Sequence, residues 1–206
     1  MGSTYLKKGL RKNIETGVLI GLVCAITLSF AHFNAACDDL RSSVLRLHIL
    51  ANSDSDIDQS VKLAVRDEIL AENSGLFDNC CNLEEAVAVE EQDTDKFKET
   101  ADRVLSEHGF DYSSSVSIET AYFNTREYDD FTLPAGYYRS LTVRLGEARG
   151  HNWWCVVFPS VCLSAAAADL CDSASEESAQ IAENAPKYVM KFKIVEWYET
   201  LKNRKK

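Results

Sequence analysis

Apolar and polar residues alternate over VLRLHILA (Val44 to Ala51), with Leu45, Leu47 and Ile49 on one face and Arg46 and His48 on the other. A period of two predicts a half-buried strand. NSDSD follows, a cluster of turn and cap formers, and Asp56 with Gln59 three residues on makes a capping box. Ile57, Val61, Val65 and Ile69 then recur every four residues, widened by Leu63 and Leu70, which predicts a core-facing helix closed by Asn73-Ser74-Gly75. Leu83, Val87, Phe97, Ala101, Val104 and Leu105 mark a second helical region ending at Gly109, with EEQDTD as an expected break in its middle. The period then returns to two. Val116, Ile118, Thr120 and Tyr122 alternate with polar or small residues, and so do Tyr137, Leu141, Val143 and Leu145, across a loop holding Pro134 and Gly136. WWCVVF (Trp153 to Phe158) is almost wholly apolar and reads as a strand covered on both faces. A small and polar connection rich in Ala and Ser follows. Pro186 then opens a final helix with Val189, Phe192 and Val195 on one stripe and Ile194, Trp197 and Leu201 on an adjoining one. The order predicts one α+β domain, a mostly antiparallel sheet of about four strands backed by helices.

The N-terminus stands apart from this domain. Lys7, Lys8, Arg11 and Lys12 precede fifteen residues without a charge, Gly17 to Ala31. As a helix at ~1.5 Å per residue that run covers about 22 Å, short of the ~30 Å hydrocarbon core, which favours a signal peptide over a permanent span. Cleavage after Ala31 fits the small residues Ser29 and Ala31. The uncharged stretch nevertheless extends from Thr16 to Cys37, so residues 14–36 could also serve as a tilted anchor. The expected division is residues 1–36 as signal or anchor and residues 37–206 as the exported domain, with the cationic flank left in the cytoplasm.

Net charge is -10, and the basic excess sits at the two ends, so the body repels phosphate backbones and nucleic-acid binding is not expected. Of seven cysteines, Cys24 lies in the apolar run. The other six can pair in fifteen ways outside the reducing cytoplasm. No C-x-x-C and no interleaved Cys/His spacing supports a metal site, and no cofactor is expected.

Two clusters carry possible chemistry. His151, Asn152 and Cys155 are the residue types of a cysteine-protease site, but four extended residues put His151 and Cys155 roughly 13 Å apart. A Cys155–Cys162 disulfide is the favoured reading and would contribute ~2–3 kcal/mol by loop entropy. His48, Asn52, Asp54 and Asp56 could form an acid–base or metal cluster at a strand end, yet helix capping accounts for most of them without a ligand. An extracytoplasmic hydrolase using His48, Asp54 and His151 is the alternative reading. Arg66 and Asp67 read as an ion pair. Adjacent strand residues point to opposite faces, so one of Trp153 and Trp154 packs inward and the other faces out as a candidate binding anchor. Gly150, free to take positive φ, fixes the preceding turn close to the sheet edge. The expected partner surface therefore comprises Asn52, Asp54, Gly150, His151, Asn152, Trp153 and Trp154.

Three stretches, LRLHILANSDSDIDQSVKLAVRDEIL (Leu45 to Leu70), LPAGYYRSLTVRLGEARGHNWWCVVFPSVC (Leu133 to Cys162) and KFKIVEW (Lys191 to Trp197), closely resemble the stage II sporulation protein R family. The resemblance implies a signalling protein of endospore formers, exported from the forespore into the intermembrane space. There it would act on a membrane-embedded protease of the mother cell that processes the sigma-E precursor. It implies no catalytic residues and no small-molecule substrate. Cys37, Cys80, Cys81 and Cys171 fall outside the shared motifs and leave the full pairing pattern open.

Overall fold

The structure, a computed structural model, describes residues 2–72, 75–77, 79–128, 131–159, 175, 178, 181–182 and 185–203. Among these, four helices surround a four-stranded mixed sheet, an α+β arrangement. Chain order is α1 (Gly2–Ser43), β1 (Leu45–Leu50), α2 (Asp56–Glu72), α3 (Leu83–Glu107), β2 (Ser114–Phe123), β3 (Arg126–Glu127), β4 (Thr132–Leu133), β5 (Gly136–Leu145), β6 (Asn152–Phe158) and α4 (Ala185–Asn203).

The sheet runs β2-β5-β1-β6. Two of its pairings are antiparallel, but β1 and β5 are parallel, with Leu47 opposite Leu141. This insertion of β1 separates β5 from β6, which neighbour each other in sequence. Their connection, residues 146–151, therefore crosses two strand spacings, about 10 Å, over the carboxyl end of β1. The loop between β2 and β5 also holds a short hairpin, β3 paired with β4, which the sequence pattern did not predict.

Each sheet face has its own core. On one side Leu47, Ile49, Leu141, Val143 and Cys155 meet Val61, Val65 and Ile69 of α2 and Phe97, Ala101 and Val104 of α3. Ile57 departs from the expected stripe and is 70% exposed, because the inward position at the start of α2 belongs to Asp58. Leu45 and Phe158 extend this side toward Leu83 and Ala86 of α3. On the other side Leu40 and Val44 join Phe123, Phe131, Leu133, Tyr138 and Val156. The polar face expected for β1 is thus buried too. Arg46 is 0% exposed, lies over the Phe123 ring at 4.1 Å and donates to Tyr128 Oη at 2.9 Å.

Helix ends follow local chemistry. The α2 cap is Ser55, whose Oγ accepts from Asp58 N–H at 3.2 Å, and not the expected Asp56. Asn82 and Glu85 form a reciprocal box at the start of α3: Asn82 Oδ1 accepts from Glu85 N–H and Asn82 Nδ2 donates to Glu85 Oε1. No break occurs at EEQDTD: the helix runs on through it, with Glu90, Glu91 and Gln92 good helix formers and the Thr94 hydroxyl bonded to the Glu90 carbonyl. Gly109 ends α3 with φ of 79°, as expected for a C′ residue, and Phe110 N–H reaches the Leu105 carbonyl at 3.0 Å.

The apolar run belongs to a single helix of 42 residues. Its stretch Lys12–Ser43 contains an 18-residue window of mean hydropathy 2.0, and is long and apolar enough to cross a membrane. That is compatible with a signal peptide or an anchor. From Phe33 onward the helix is part of the domain: Phe33, Ala36, Cys37 and Leu40 are buried. Arg41 donates twice to the Ala135 carbonyl, at 3.1 and 2.6 Å, and its guanidinium fills the space a side chain on Gly136 would need.

Candidate functional site

The crossing connection 146–151 settles directly on the loop that leaves β1, residues 51–55. Backbone bonds join them: Arg149 N–H donates to the Asn52 carbonyl at 3.1 Å and Gly150 N–H to the Ala51 carbonyl at 2.9 Å. Gly150 does not use positive φ here. Gly146 and Ala148 take that conformation, with φ of 55° and 52°. Gly150 is required instead by close approach, since an added Cβ would overlap the Ser53 carbonyl and touch Ala51 Cβ.

Asn52 and Asp58 hold the two loops in register. The Asn52 amide oxygen accepts from Glu147 N–H at 2.9 Å, while its amide nitrogen donates to Asp58 Oδ2 at 3.1 Å. Ser53 Oγ donates to the same Asp58 oxygen, and Tyr112 Oη donates to Asp58 Oδ1 at 2.6 Å. Burial alone would raise this carboxyl, but the bonds from Ser53, Tyr112, Asn52 and Ser55 hold it below the usual carboxylate range. Burial, and then Asp58 itself, pushes Tyr112 upward, so the phenol stays a donor. Lys62, also buried, donates to the His151 carbonyl at 3.0 Å and to Gln59 Oε1 at 2.6 Å.

Above this buried network lies an exposed rim. Asp54 accepts from His151 N–H at 2.6 Å and from the ring Nδ1 at 2.5 Å, with both side chains largely in solvent. Asn152 is exposed as well, its Oδ1 3.1 Å from His48 Nε2. Ile57 adds an exposed apolar side chain next to the loop. The structure thus gathers Asn52, Asp54, Gly150, His151 and Asn152 into one surface at the carboxyl end of β1.

The tryptophans border this surface on opposite faces of β6, and both are half-buried. Trp153 packs against the α2/α3 core beneath Arg66, whose guanidinium is 5.0 Å from the ring and also pairs with Asp67 at 2.5 Å. Trp154 packs on the other side, 5.8 Å from the His48 ring and 5.9 Å from Phe123, with Arg126 at 6.0 Å. Neither stands free as an outward anchor, because the second face of the sheet is covered by the β3–β4 hairpin and the end of α1.

His48 sits among these rings, and burial lowers its pKa, so the imidazole is neutral near pH 7. Its bond goes to Asn152, and among the described residues no contact links it to the Asp54–His151 pair. No group of three or more His, Cys, Asp or Glu side chains able to hold a metal occurs among the described residues. Cys155 is buried and disulfide-bonded, which removes its sulfur from nucleophilic chemistry. Cys162 and Cys171 lie outside the described residues, and so does most of the connection between β6 and α4.

Asp58, Lys62 and Tyr112 are the members of this network that the sequence pattern did not single out. The Asp58 position was readable, since it follows the cap by three residues; nothing marked Tyr112, which comes from the turn after α3.

A family model described as Stage II sporulation protein R matches residues 41–168, more than half of the chain. The stage II sporulation protein R of Bacillus subtilis (strain 168) is 33% identical over 147 residues, covering 71% of this chain and 65% of that protein. The chain thus spans just under two thirds of that relative's length. No solved structure matches it. The matched region begins at the end of α1 and contains the whole sheet, α2, α3 and the two loops of the candidate surface, residues 51–55 and 146–151.

Proposed function

The chain belongs to the stage II sporulation protein R family and has a role in sporulation, and we propose that it is the exported signal that switches on a membrane-embedded protease of the mother cell. In this reading the chain is made in the forespore, and its domain reaches the intermembrane space through α1. There it binds the protease, which then processes the precursor of sigma-E. The observation that supports a binding role is the surface at the carboxyl end of β1. Two loops distant in sequence are fastened through Asn52, which accepts from Glu147 N–H and is itself held by the buried Asp58 carboxylate, and they present Asp54, His151, Asn152 and Ile57 outward. A surface fixed before binding loses little conformational entropy when a partner docks.

The test is co-expression of this chain with the candidate protease and its sigma-factor substrate, scoring cleavage with and without the chain. Exchanging His151 and Ile57 together for alanine should abolish cleavage while the domain melts normally. Unchanged cleavage would move the partner surface elsewhere. The hydrolase alternative rests on the Asp54–His151 contact. Processing that persists with both His48 and Asp54 changed to alanine would exclude it.

A further inference from the structure

We propose that α4 lies on the lipid surface that α1 enters, with its outer face inserted among the headgroups. The proposal rests on the alternative to cleavage raised above, that α1 stays in the membrane as an anchor. It goes beyond that reading in assigning a second, peripheral contact to the far end of the chain.

α4 has apolar residues on two opposite faces. Tyr188, Phe192 and Val195 form the inner stripe and pack on Phe33, Ala36 and Cys37 of α1. Met190, Ile194, Trp197 and Leu201 repeat the same spacing two residues later, about 200° around the helix. This outer stripe is bare: Met190 is 73% and Trp197 64% exposed, and Ile194 and Leu201 are also exposed. Large apolar side chains gathered on one helix face mark a contact surface.

Its position says what that contact is. The inner stripe meets α1 on the domain side, whereas Tyr198 touches Phe30, with ring centroids 6.4 Å apart, and Lys191 Nζ reaches Ser29 Oγ at 3.3 Å. Ser29 and Phe30 are among the last residues of the most apolar part of that helix, Gly17–Ala31. The contacts from Tyr188 to Tyr198 fall on only a few residues of α1, so α4 crosses that helix and does not run along it. If the uncharged run fills the hydrocarbon layer, the outer face of α4 lies within about one helix diameter, roughly 10 Å, of the headgroups.

Charge points the same way. Lys193 and Lys202 are exposed beside the stripe, and Arg204, Lys205 and Lys206 follow in sequence, on a chain whose net charge is -10. The acids of the helix are covered, Glu199 being 5% exposed with its Oε1 3.8 Å from Lys202 Nζ and Glu196 half-buried, which leaves Lys193 as the exposed cation of the described helix without a carboxylate of α4 against it. A second copy docked stripe to stripe would bring these cations together, whereas an anionic lipid surface neutralises them. Tryptophan and tyrosine with flanking lysines are the composition of an interfacial helix.

The experiment uses the full chain reconstituted into vesicles of phosphatidylcholine and phosphatidylglycerol, with ordinary or brominated acyl chains. Brominated lipid should quench one of the three tryptophans, and Trp197→Phe should remove that quenched component while leaving the emission of Trp153 and Trp154. Equal fractional quenching in wild type and Trp197→Phe would overturn the proposal. A carbonate wash separates the two readings. Protein released by the wash would refute retention of α1 and this proposal with it, whereas protein retained but unquenched at Trp197 would refute only the docking of α4. A dimer in mild detergent that Ile194→Asp dissociates, found with no quenching, would assign the stripe to self-association instead.

Discussion

Asp58→Ala should loosen the candidate surface, because that carboxylate holds residues 51–55 and orients Asn52, which in turn accepts from Glu147 of the crossing connection. The substitution removes the acceptor of three side-chain donors: Ser53 Oγ, Asn52 Nδ2 and Tyr112 Oη. Hydrogen bonds to a charged group contribute ~1.5–3 kcal/mol each, and orphaned donors add a desolvation cost of ~1–3 kcal/mol. The loops are partly open to water, so the bonds are not additive and a loss of about 3 kcal/mol is expected. For a domain of this size that lowers Tm by roughly 6–12 °C. Asp58→Asn should cost less, about 1 kcal/mol, since a turned amide still offers one acceptor and Tyr112 Oη can itself accept. The pH dependence gives the sign. The Asp58 pKa is depressed in the fold, so its contribution is fully present above the unfolded value of about 3.9 and is lost as pH falls through the folded value. The gap between wild type and Asp58→Asn should therefore close in acid, below about pH 4. Thermal melts of the three proteins between pH 7 and pH 3 measure both effects. Melting temperatures within a degree of one another at pH 7 would refute the assignment of Asp58 as the fastening point.

The other expectations concern the cysteines, the chain start and a buried acid. Non-reducing peptide mapping should recover Cys155 and Cys162 in one cross-linked fragment, and free thiols at both positions would refute the pairing. In the same material exposed Cys81 should alkylate readily, whereas Cys37, buried and pushed up to about 12, should react only on unfolding. Removing residues 1–31 should abolish signalling and leave a folded domain, while removing residues 1–40 takes Phe33, Cys37 and Leu40 out of the core and should prevent folding. Similar melts for the two truncations would show that the end of α1 is dispensable. Glu90 is 0% exposed, and burial raises its pKa well above the carboxylate range despite Arg139. Above its unfolded pKa the carboxyl must take up a proton to fold, or be buried charged at still higher pH, and either costs stability, so Glu90→Gln should raise Tm near pH 8, with the gain shrinking toward about pH 4; a lower Tm at both pH values would contradict this.

The periodicities carried most of the elements. Leu47 and Ile49 reach the α2/α3 core and Leu45 the adjoining cluster of Leu83 and Ala86, as their alternation required, and Val61, Val65 and Ile69 reach the core at helical spacing. What they could not carry was the sheet order. Alternation reports that a strand has a buried face, and it is blind to which strand lies beside it. The parallel seat of β1 between β5 and β6 comes from long-range packing. The same blindness explains Arg46 and His48: an Arg-x-His pattern reads as a solvent face, and only the β3–β4 hairpin and α1 reveal that it is covered. Ile57 shows the reverse, an apolar residue in step with a stripe whose first inward position is taken by Asp58.

The candidate surface was legible as two separate lists and not as one place. Asn52 and Asp54 stood out as cap formers, and Gly150, His151 and Asn152 as an unusual prelude to an apolar strand. Nothing local links segments almost a hundred residues apart. The link is topological: once β1 occupies the gap between β5 and β6, residues 146–151 can reach β6 only over the carboxyl end of β1. Every feature of the turn then follows from that crossing. It must lie flat on residues 51–55, so Gly150 has no room for a side chain. It must satisfy the backbone groups it brings there, so Asn52 accepts from Glu147 and the Asn52 carbonyl from Arg149. The polar residues ahead of the tryptophans are thus required first by the fold, and their exposed outer edge is what the fold leaves available for a partner.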